Sequence, residues 1–418
     1  MSSTFQNFQQ AKSQPSSYQG IALVCPVSVG YAKQSEKGAA YFIGRSLGEM
    51  IQQAGIHKDD VDGLAISSFS LGPDSVISLC QHFDISPRYL EQLPFGGASG
   101  VIAMRRAARA VQMGDADIVA CIGGDTNQAG SFADLIADFS TFTRDASYPY
   151  GAGGPNAAFA LITQHYMEQY GATREDFGRI AIAQRYNANH YPTALLGHKT
   201  LSMDDYLNAR PIAGPVHMFD CVMPCAGGEG FLMMSVERAK FLGLPYVTIL
   251  AADELHHAHR DDPIQYRAGW TLYANELYQQ TNIGPNDIDM LQTYDDYPVI
   301  SMMQMEDLGF CAKGEAKHFV RETALTFDGH NLGYSSGNNC LPHNTSGGQL
   351  SVGQAGSAAG FLGLVESIRQ LLGQAEKNQV QDARHAMVSG YGMINYDRGL
   401  CSSAAILAST TSDTVGGQ

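Results

Sequence analysis

Residues 344–360 read NTSGGQLSVGQAGSAAG, and this glycine-rich loop leads directly into an apolar stretch of helical character, residues 361–372. The loop closes on four small residues, SAAG at 357–360, which form the opening of that helix. A similar opening, GASG at residues 97–100, precedes another apolar helical stretch earlier in the chain. The two openings indicate that one structural unit occurs twice.

A second sequence pattern also occurs twice, in the same order along the chain as the first. The pattern E-x-x-Q-Q-x-x-I-x-x-x-D-V-D begins at Glu49, and its counterpart ending in D-I-D begins at Glu276, 227 residues later. Around these repeats, short apolar runs such as IALVC at 21–25 alternate with helical stretches, which is typical of parallel βα units. The chain is therefore predicted to be an α/β protein of two similar halves, with an insertion between them.

Composition excludes several classes of function. The 418 residues carry a formal net charge of −15, which argues against a surface that binds nucleic acid or an anionic membrane. The eight cysteines are scattered without a disulfide-like framework, and no apolar run approaches the roughly 18 residues that span a bilayer. We therefore expect a cytoplasmic protein.

Five further motifs accompany the repeats. They are GGASG at 96–100, CVMPCAGGEG at 221–230 before FLMM, YDDYP at 294–298, GQAG at 353–356, and SGYGMINYDRG at 389–399. In this combination and order they resemble the thiolase superfamily from residue 21 to about 408. The resemblance implies a thiolase fold with two duplicated βαβαβ-type halves in an α/β/α/β/α arrangement.

The resemblance also implies domain boundaries. They are a disordered tail at 1–19, an N-terminal half at 20–125 completed by about 226–255, an inserted loop domain at 126–225, a C-terminal half at 256–408 and a tail at 409–418.

The positions that carry thiolase chemistry have all changed. Gly97 stands where thiolases have their nucleophilic cysteine, and Gln354 stands where a histidine activates it. An amide cannot act as a base near neutral pH. Tyr294 takes the place of the residue that helps to bind the thioester oxygen, and the late Cys-x-Gly loop of thiolases reads SGYG at 389–392.

These changes resemble one branch of the superfamily, the aldolases that cleave the side chains of steroid acyl-CoA esters. Members of that branch pair with a small OB-fold, zinc-ribbon protein, and thiolases form dimers. The resemblance therefore implies a homodimeric core, a small partner that carries any zinc, an acyl-CoA substrate, and no cofactor in this chain.

Retro-aldol cleavage of a β-hydroxyacyl-CoA fits a site without a nucleophile. The reaction needs a base for the β-hydroxyl proton, donors that hold the thioester enolate, and an acid that protonates the α-carbon. The predicted catalytic residues are Tyr294, Asp295, Asp296, Tyr297 and Tyr391. The predicted substrate-binding residues are Gly97, His343, Gln354 and Ser389.

Plainer interpretations of the same residues stay open. The tyrosines and aspartates of residues 294–297 could form only a hydrogen-bonded loop, and Tyr391 or Tyr396 could simply pack beneath it. Gln354 could be a tether of the glycine loop. His343 is more typical of a loop residue than of a relocated base.

Metal and nucleotide sites are not predicted. The spacing His217-x-x-x-Cys221-x-x-x-Cys225 and the HHAH run at 256–259 are not standard zinc patterns. No G-x-G-x-x-G stands between a strand and a helix with a following acidic residue, which disfavours a dinucleotide site.

Two other functions remain as alternatives. One is an acyltransferase or Claisen-condensing subunit, which would need another thiol such as Cys80 or Cys340 in place of the missing nucleophile. The other is a non-catalytic scaffold that binds acyl-CoA, which the new tyrosines and carboxylates disfavour.

Overall fold

The computed structural model describes residues 17–131, 134, 140–334 and 339–410. The strands in this part of the chain are β1 (Ile21–Ala32), β2 (Gly63–Ser67), β3 (Tyr89–Gln92), β4 (Ile118–Asp125), β5 (Pro211–Ala213), β6 (Val216–His217), β7 (Ala226–Ser235), β8 (Val247–His256), β9 (Met290–Gln292), β10 (Thr323–Ala324), β11 (Asn339–Cys340), β12 (His385–Asn395) and β13 (Arg398–Ser409). The helices are α1 (Ala39–Ala54), α2 (Val76–Phe83), α3 (Ser99–Met113), α4 (Thr141–Arg144), α5 (Pro155–Tyr170), α6 (Arg174–Ala188), α7 (Met203–Leu207), α8 (Val236–Phe241), α9 (Trp270–Thr281), α10 (Pro298–Asp307), α11 (Ala316–Glu322), α12 (Gly348–Val352) and α13 (Ala359–Leu371).

The large sheet consists of two parts with the same strand order. Its order is β3-β2-β4-β7-β1-β8-β13-β12-β9, and the two parts meet between β1 and β8 through the pair Leu23 and Val247. From that junction outward, each part runs through two antiparallel pairings and then a parallel one. A parallel bridge between Leu291 and His343 continues the second part, as β3 continues the first.

The repeated sequence pattern marks the same structure in both halves. A 3-10 turn at Lys58–Asp60 precedes β2, and a 3-10 turn at Pro285–Asp287 precedes β9. Both the turns and the starts of the strands are 227 residues apart. The duplication predicted from the sequence is therefore confirmed.

The helices form three layers around the sheet. The helix α1 buries residues at helical spacing, among them Phe42, Ile43 and Met50, against β1, β4 and β7, and ends at Gly55 with φ of 64°. The helix α9 packs on β8 and β13 in the same way. Between the two parts of the sheet, α3 and α13 pack on one another. This is the predicted α/β/α/β/α arrangement.

The two central helices approach closely because both begin with small residues. A Cβ atom on Gly100 would lie 2.2 Å from the Gly360 carbonyl oxygen, so only glycine fits there. A Cβ atom on Gly360 would lie 2.9 Å from the Gly97 α-carbon. The small-residue openings therefore bring the starts of α3 and α13 together at one place.

The segment between β4 and β7 packs on the C-terminal half. Arg321 of α11 forms a paired hydrogen bond with Asp176 of α6, at 2.6 and 2.7 Å. Arg185 of α6 donates to the Ser351 hydroxyl at 3.0 Å, beside the glycine-rich loop. This inserted segment therefore lies over the loop that carries Gln354.

Both predicted tails fall mainly outside the described residues, which begin at residue 17 and end at residue 410. At the inner end of the first tail, Tyr18 is buried and its ring lies 4.0 Å below the Arg109 guanidinium. Among the described residues, none of the helices combines the length and the apolar character needed to cross a membrane. Nor do any three His, Cys, Asp or Glu side chains in that part of the chain cluster as metal ligands.

Candidate active site

The start of α3 is covered by a tyrosine ring. Gly97 lies in the 3-10 turn Gly96–Ala98 that leads into α3, and Tyr294 follows β9. A Cβ atom on Gly97 would lie 2.1 Å from two carbons of the Tyr294 ring and 2.3 Å from the Tyr391 carbonyl oxygen. The ring therefore occupies the space into which a side chain at position 97 would project.

Tyr294 belongs to a group of three polar side chains. The Gln354 amide nitrogen donates to Asp296 Oδ1 at 2.8 Å and lies 3.4 Å from the Tyr294 hydroxyl. The Asp296 carboxylate is also close enough to the Tyr294 hydroxyl to affect its ionisation. Asp296 and Gln354 are partly exposed, whereas Tyr294 is buried. Asp296 and Gln354 thus form the more exposed side of this group.

The electrostatics of the group favour proton transfer at Asp296. Burial raises the pKa of the Asp296 carboxyl to about 7, which hydrogen bonds from Tyr294 and Gln354 only partly offset. Burial and the neighbouring Asp296 raise the pKa of the Tyr294 phenol above its ordinary value, so the phenol stays protonated. A carboxyl with a pKa near neutrality suits a general base.

The backbone of Tyr294 is held by the side chain of Gln304, which is held in turn by Ser389. Gln304 Oε1 accepts from the Tyr294 amide at 3.1 Å, and Gln304 Nε2 donates to the Tyr294 carbonyl oxygen at 2.7 Å. The Ser389 hydroxyl donates to the same Gln304 Oε1 at 2.7 Å. Ser389 is buried and thus acts on Tyr294 through Gln304 in this structure.

Asp295 points into the glycine-rich loop. Its carboxylate accepts hydrogen bonds from the backbone amides of Gln349 and Leu350 at 3.0 and 3.2 Å, in the first turn of α12. Burial raises the pKa of Asp295 to about 6, against the effect of these hydrogen bonds. Asp295 therefore joins the loop after β9 to the loop that carries Gln354.

His343 lies beneath the site, in the ladder with β9. Its side chain is fully buried, and its Nε2 atom is 2.8 Å from the Thr293 hydroxyl. Burial lowers the pKa of His343 to about 3, so the ring is neutral. The structure places His343 one layer below Tyr294 and away from Asp296 and Gln354.

Tyr297 contacts the inserted segment. Its hydroxyl donates to Asn156 Oδ1, and its ring stacks on Phe159 with 4.0 Å between centroids. The Cys221 thiol lies 3.9 Å from the same Asn156 oxygen. Burial raises the pKa of the Tyr297 phenol. Tyr297 thus links the loop of Tyr294 to the first turn of α5.

Tyr391 lies on the other side of Gly97. Its hydroxyl donates to Gln265 Oε1 at 2.6 Å and accepts from the Gly399 amide at 2.6 Å. Its ring is stacked 6.1 Å from Trp270, and burial raises the pKa of its phenol. A substrate that exchanges a proton with the Tyr391 hydroxyl must therefore displace Gln265 from that hydroxyl.

Three uncharged amides that hold the tyrosines were not predicted from the sequence. Asn156, Gln265 and Gln304 contact Tyr297, Tyr391 and Tyr294, respectively. Asn156 and Gln265 are 141 and 126 residues from their partners along the chain. Neither belongs to a recognisable motif, so only the fold brings them to the site.

The chain is similar to a known group of proteins over most of its length. The model of the thiolase C-terminal-domain-like family matches residues 251–404. A steroid side-chain-cleaving aldolase of Thermomonospora curvata is 30% identical over 376 residues, which cover 86% of this chain and 92% of that protein. The 17-hydroxy-3-oxo-4-pregnene-20-carboxyl-CoA lyase of Mycobacterium tuberculosis is 28% identical over 88% of this chain and 95% of its own length.

A solved structure agrees with these sequence relatives. The Ltp2-ChsH2(DUF35) aldolase has 27% sequence identity and superposes with a TM-score of 0.78. The match covers 94% of this chain and 98% of that one. Fold and sequence similarity therefore point to the same group.

Proposed function

The chain belongs to the steroid side-chain-cleaving aldolases of the thiolase superfamily and is a carbon–carbon lyase, and we propose that its substrate is a branched β-hydroxyacyl-CoA. The products of the proposed retro-aldol cleavage are a ketone and a shorter acyl-CoA, such as propionyl-CoA or acetyl-CoA. The proposed substrate class is a steroid or bile-acid side chain, and the name of the Thermomonospora relative supports the steroid. The observation that carries this proposal is the position of Tyr294 over Gly97.

That position agrees with a reaction that forms no acyl-enzyme. In a retro-aldol cleavage, the β-hydroxyl loses its proton, the bond between Cα and Cβ breaks, and its electrons form a thioester enolate. The β-carbon becomes the ketone carbon, and the enolate takes up a proton at Cα. The site must therefore supply a base, an anion-stabilising region and an acid.

We assign the role of base to Asp296. The Tyr294 phenol either relays the proton from the substrate to Asp296 or lies beside this direct path. The carboxylate takes the β-hydroxyl proton directly or through the Tyr294 phenol, since both groups contact the same Gln354 amide nitrogen. Gln354 holds the Asp296 carboxylate from its other side at 2.8 Å. The pKa of about 7 allows Asp296 to accept this proton near neutral pH.

We assign the stabilisation of the enolate, and the acid that protonates it, to the side of the site formed by α3 and Tyr391. The start of the fifteen-residue helix α3 lies beneath the Tyr294 ring, and the positive end of its dipole favours negative charge on the thioester oxygen on this side of the site. We assign the acid to Tyr391, whose backbone passes beside Gly97 and whose phenol is protonated at neutral pH. Asp295, Ser389 and His343 support the loops, and Tyr297 with Asn156 closes the site toward the inserted segment.

We propose that the chain works as a homodimer with a small OB-fold, zinc-ribbon partner. The name of the similar solved aldolase joins two proteins, Ltp2 and ChsH2(DUF35). Zinc belongs to the partner in this proposal, and acyl-CoA is a substrate and not a resident cofactor. A chain that works in such a complex gains stability when the partner binds.

An acyltransferase would need a cysteine nucleophile, and the two thiols suggested for this role are poorly placed. Cys80 lies on α2 in the outer core of the N-terminal half, where it donates to the Val76 carbonyl oxygen. Cys340 lies on β11 beside Gly329. Burial raises the pKa of both thiols, which disfavours the reactive thiolate.

The test is a cleavage assay on the chain co-purified with its small partner. Mass spectrometry of the products should show a ketone and a shorter acyl-CoA released together from a steroid β-hydroxyacyl-CoA. Failure to release a ketone from any β-hydroxyacyl-CoA would overturn the proposed reaction. Full activity of the rigorously purified single chain would show that the partner is unnecessary.

A further inference from the structure

A cavity of about 240 Å³ lies between the inserted segment and the hairpin of β12 and β13. Its walls come from the first turns of α5, from the residues just before that helix, and from the tip of the hairpin. The lining residues are Thr143, Ser147, Ala152, Gly154, Pro155, Ala157, Ala158, Leu161, Ile394, Asn395, Tyr396 and Asp397.

The cavity adjoins the tyrosines of the active site. On α5, the lining residues Ala157 and Ala158 stand between Asn156 and Phe159, the two residues that contact Tyr297. The Phe159 ring is also 6.3 Å from the Tyr391 ring. The cavity therefore borders the α5 residues that contact two of the tyrosines of the site.

The chemistry of the walls excludes the anionic part of the substrate. None of the described residues that line the cavity is Lys or Arg, so nothing there neutralises the phosphates of coenzyme A. The lining carboxylate of Asp397 is paired with Arg398 at 2.7 Å. Proline, alanine, leucine and isoleucine side chains form most of the remaining wall. Such a cavity suits an uncharged, apolar ligand.

The volume of the cavity and the polar groups at its rim restrict the class of ligand further. A volume of about 240 Å³ is below the roughly 300–1,000 Å³ of typical ligand sites, which fits one rigid body better than a whole CoA ester. Hydroxyl and amide groups of Thr143, Ser147 and Asn395 at the lining can bind a ring oxygen. Leu161, which is 43% exposed, adds apolar surface that a ligand would cover.

We propose that this cavity binds the fused-ring body of the substrate, an uncharged steroid nucleus with one or two oxygens, while the CoA moiety lies elsewhere. The assignment rests on the proposed function. The scissile bond then lies between the rings in the cavity and the thioester at the start of α3. Cleavage leaves the ketone in the cavity and the shorter acyl-CoA outside it.

Direct binding tests the assignment without turnover. The probes are a 3-oxo-4-ene-17-keto steroid and free coenzyme A, each titrated by calorimetry into the chain with its co-purified partner. Ala157→Phe fills the cavity from a half-exposed position, and Leu161→Glu places a charge at its mouth. Gln164→Phe is the matched control, since it adds the same ring at an exposed position of α5 outside the lining.

We expect wild type and Gln164→Phe to bind the steroid equally, and Ala157→Phe and Leu161→Glu to bind it at least about tenfold more weakly, as the loss of roughly 1.4 kcal/mol would give. Coenzyme A should bind all four proteins alike. Absence of steroid binding to wild type, unchanged steroid affinity in both cavity variants, or equal loss of both ligands would overturn the assignment.

The cleavage assay separates this assignment from the proposed function. In Ala157→Phe, kcat/KM should fall at least about tenfold further for the steroid ester than for a short, unbranched β-hydroxyacyl-CoA. Steroid binding that depends on Ala157, without cleavage of any ester, would overturn the proposed function alone. Cleavage of both esters at wild-type efficiency by Ala157→Phe would overturn the cavity assignment alone.

Discussion

The ring of Tyr294 lies where the side chain of residue 97 would be, with two ring carbons 2.1 Å from the position of a Gly97 Cβ atom. The two residues therefore depend on one another. A nucleophile at position 97 would require the ring to move, and the ring keeps its position only because Gly97 has no side chain.

Gly97→Ala is expected to lower both stability and activity. The added methyl group meets the Tyr294 ring and the Tyr391 carbonyl oxygen, and such overpacking costs about 1–3 kcal/mol. Thermal denaturation and the cleavage assay measure the two effects. Gly48→Ala is the matched control, because it lies in α1 with open space around its Cβ position and should leave activity unchanged. A Gly97→Ala protein with wild-type stability and turnover would show that neither folding nor catalysis depends on the close approach of Gly97 and Tyr294.

Tyr294→Phe is expected to lower kcat/KM by about 10² to 10⁴ with little change in thermal stability. The variant removes only the hydroxyl that lies beside Asp296 and Gln354, and loss of one proton-transferring group has an effect of that size. Tyr391→Phe should fall in the same range. Tyr278→Phe on α9, which loses a hydrogen bond to the Leu308 carbonyl oxygen at the end of α10, should keep its activity. Near-normal turnover of both site variants would mean that neither phenol takes part in the reaction.

Asp296→Asn is expected to remove a pH dependence. If Asp296 is the base, kcat/KM of wild type rises as pH increases toward about 7, where the carboxyl loses its proton, and then levels off. The amide cannot ionise, so the rise should disappear and the remaining rate should be low. A variant with an unchanged pH profile would assign the base to another residue.

Asp295→Asn is the comparison for that experiment. Its carboxylate caps the first turn of α12, so this substitution should lower the melting temperature more than Asp296→Asn does.

The raised pKa of Asp296 also means that its ionisation disfavours the folded state. Its contribution to stability therefore falls as pH rises from the unfolded pKa near 4 to about 7, and Asp296→Asn should remove this fall.

Asn156→Ala and Tyr297→Phe should have effects that do not add. Asn156 accepts the Tyr297 hydroxyl hydrogen, so either variant breaks the same contact between the inserted segment and the active-site loop. We expect each single variant to raise KM more than it lowers kcat, and the double variant to resemble the singles. Additive losses in kcat/KM would indicate that Asn156 acts independently of Tyr297.

The fold was largely predictable because its signals are local. The pattern that begins at Glu49 and again at Glu276 combines a helix, a 3-10 turn and a following strand within about 20 residues, and the structure contains both copies. The small-residue openings at Gly97 and Ser357 likewise mark the starts of α3 and α13. Repeats of this kind survive in the sequence because the same packing constrains both copies.

The partners of the predicted site residues could not be predicted. YDDYP at 294–298 shows two tyrosines and two aspartates, but the fold alone turns Asp295 into the loop of α12 and Asp296 toward Gln354. The amides Asn156 and Gln265 come from distant segments and carry no charge, periodicity or motif. Adjacent residues of a loop therefore receive different environments for reasons that only the folded chain shows.

The central claim is that carbon–carbon cleavage proceeds at Tyr294 and Asp296 without an acyl-enzyme. The most direct measurement is the intact mass of this chain during a single turnover with a steroid β-hydroxyacyl-CoA, quenched at successive times while ketone and acyl-CoA are quantified. We predict that both products appear in equal amounts while the mass of the chain stays constant. A cysteine-bound acyl adduct that forms and then decays into product at the rate of turnover would contradict the claim.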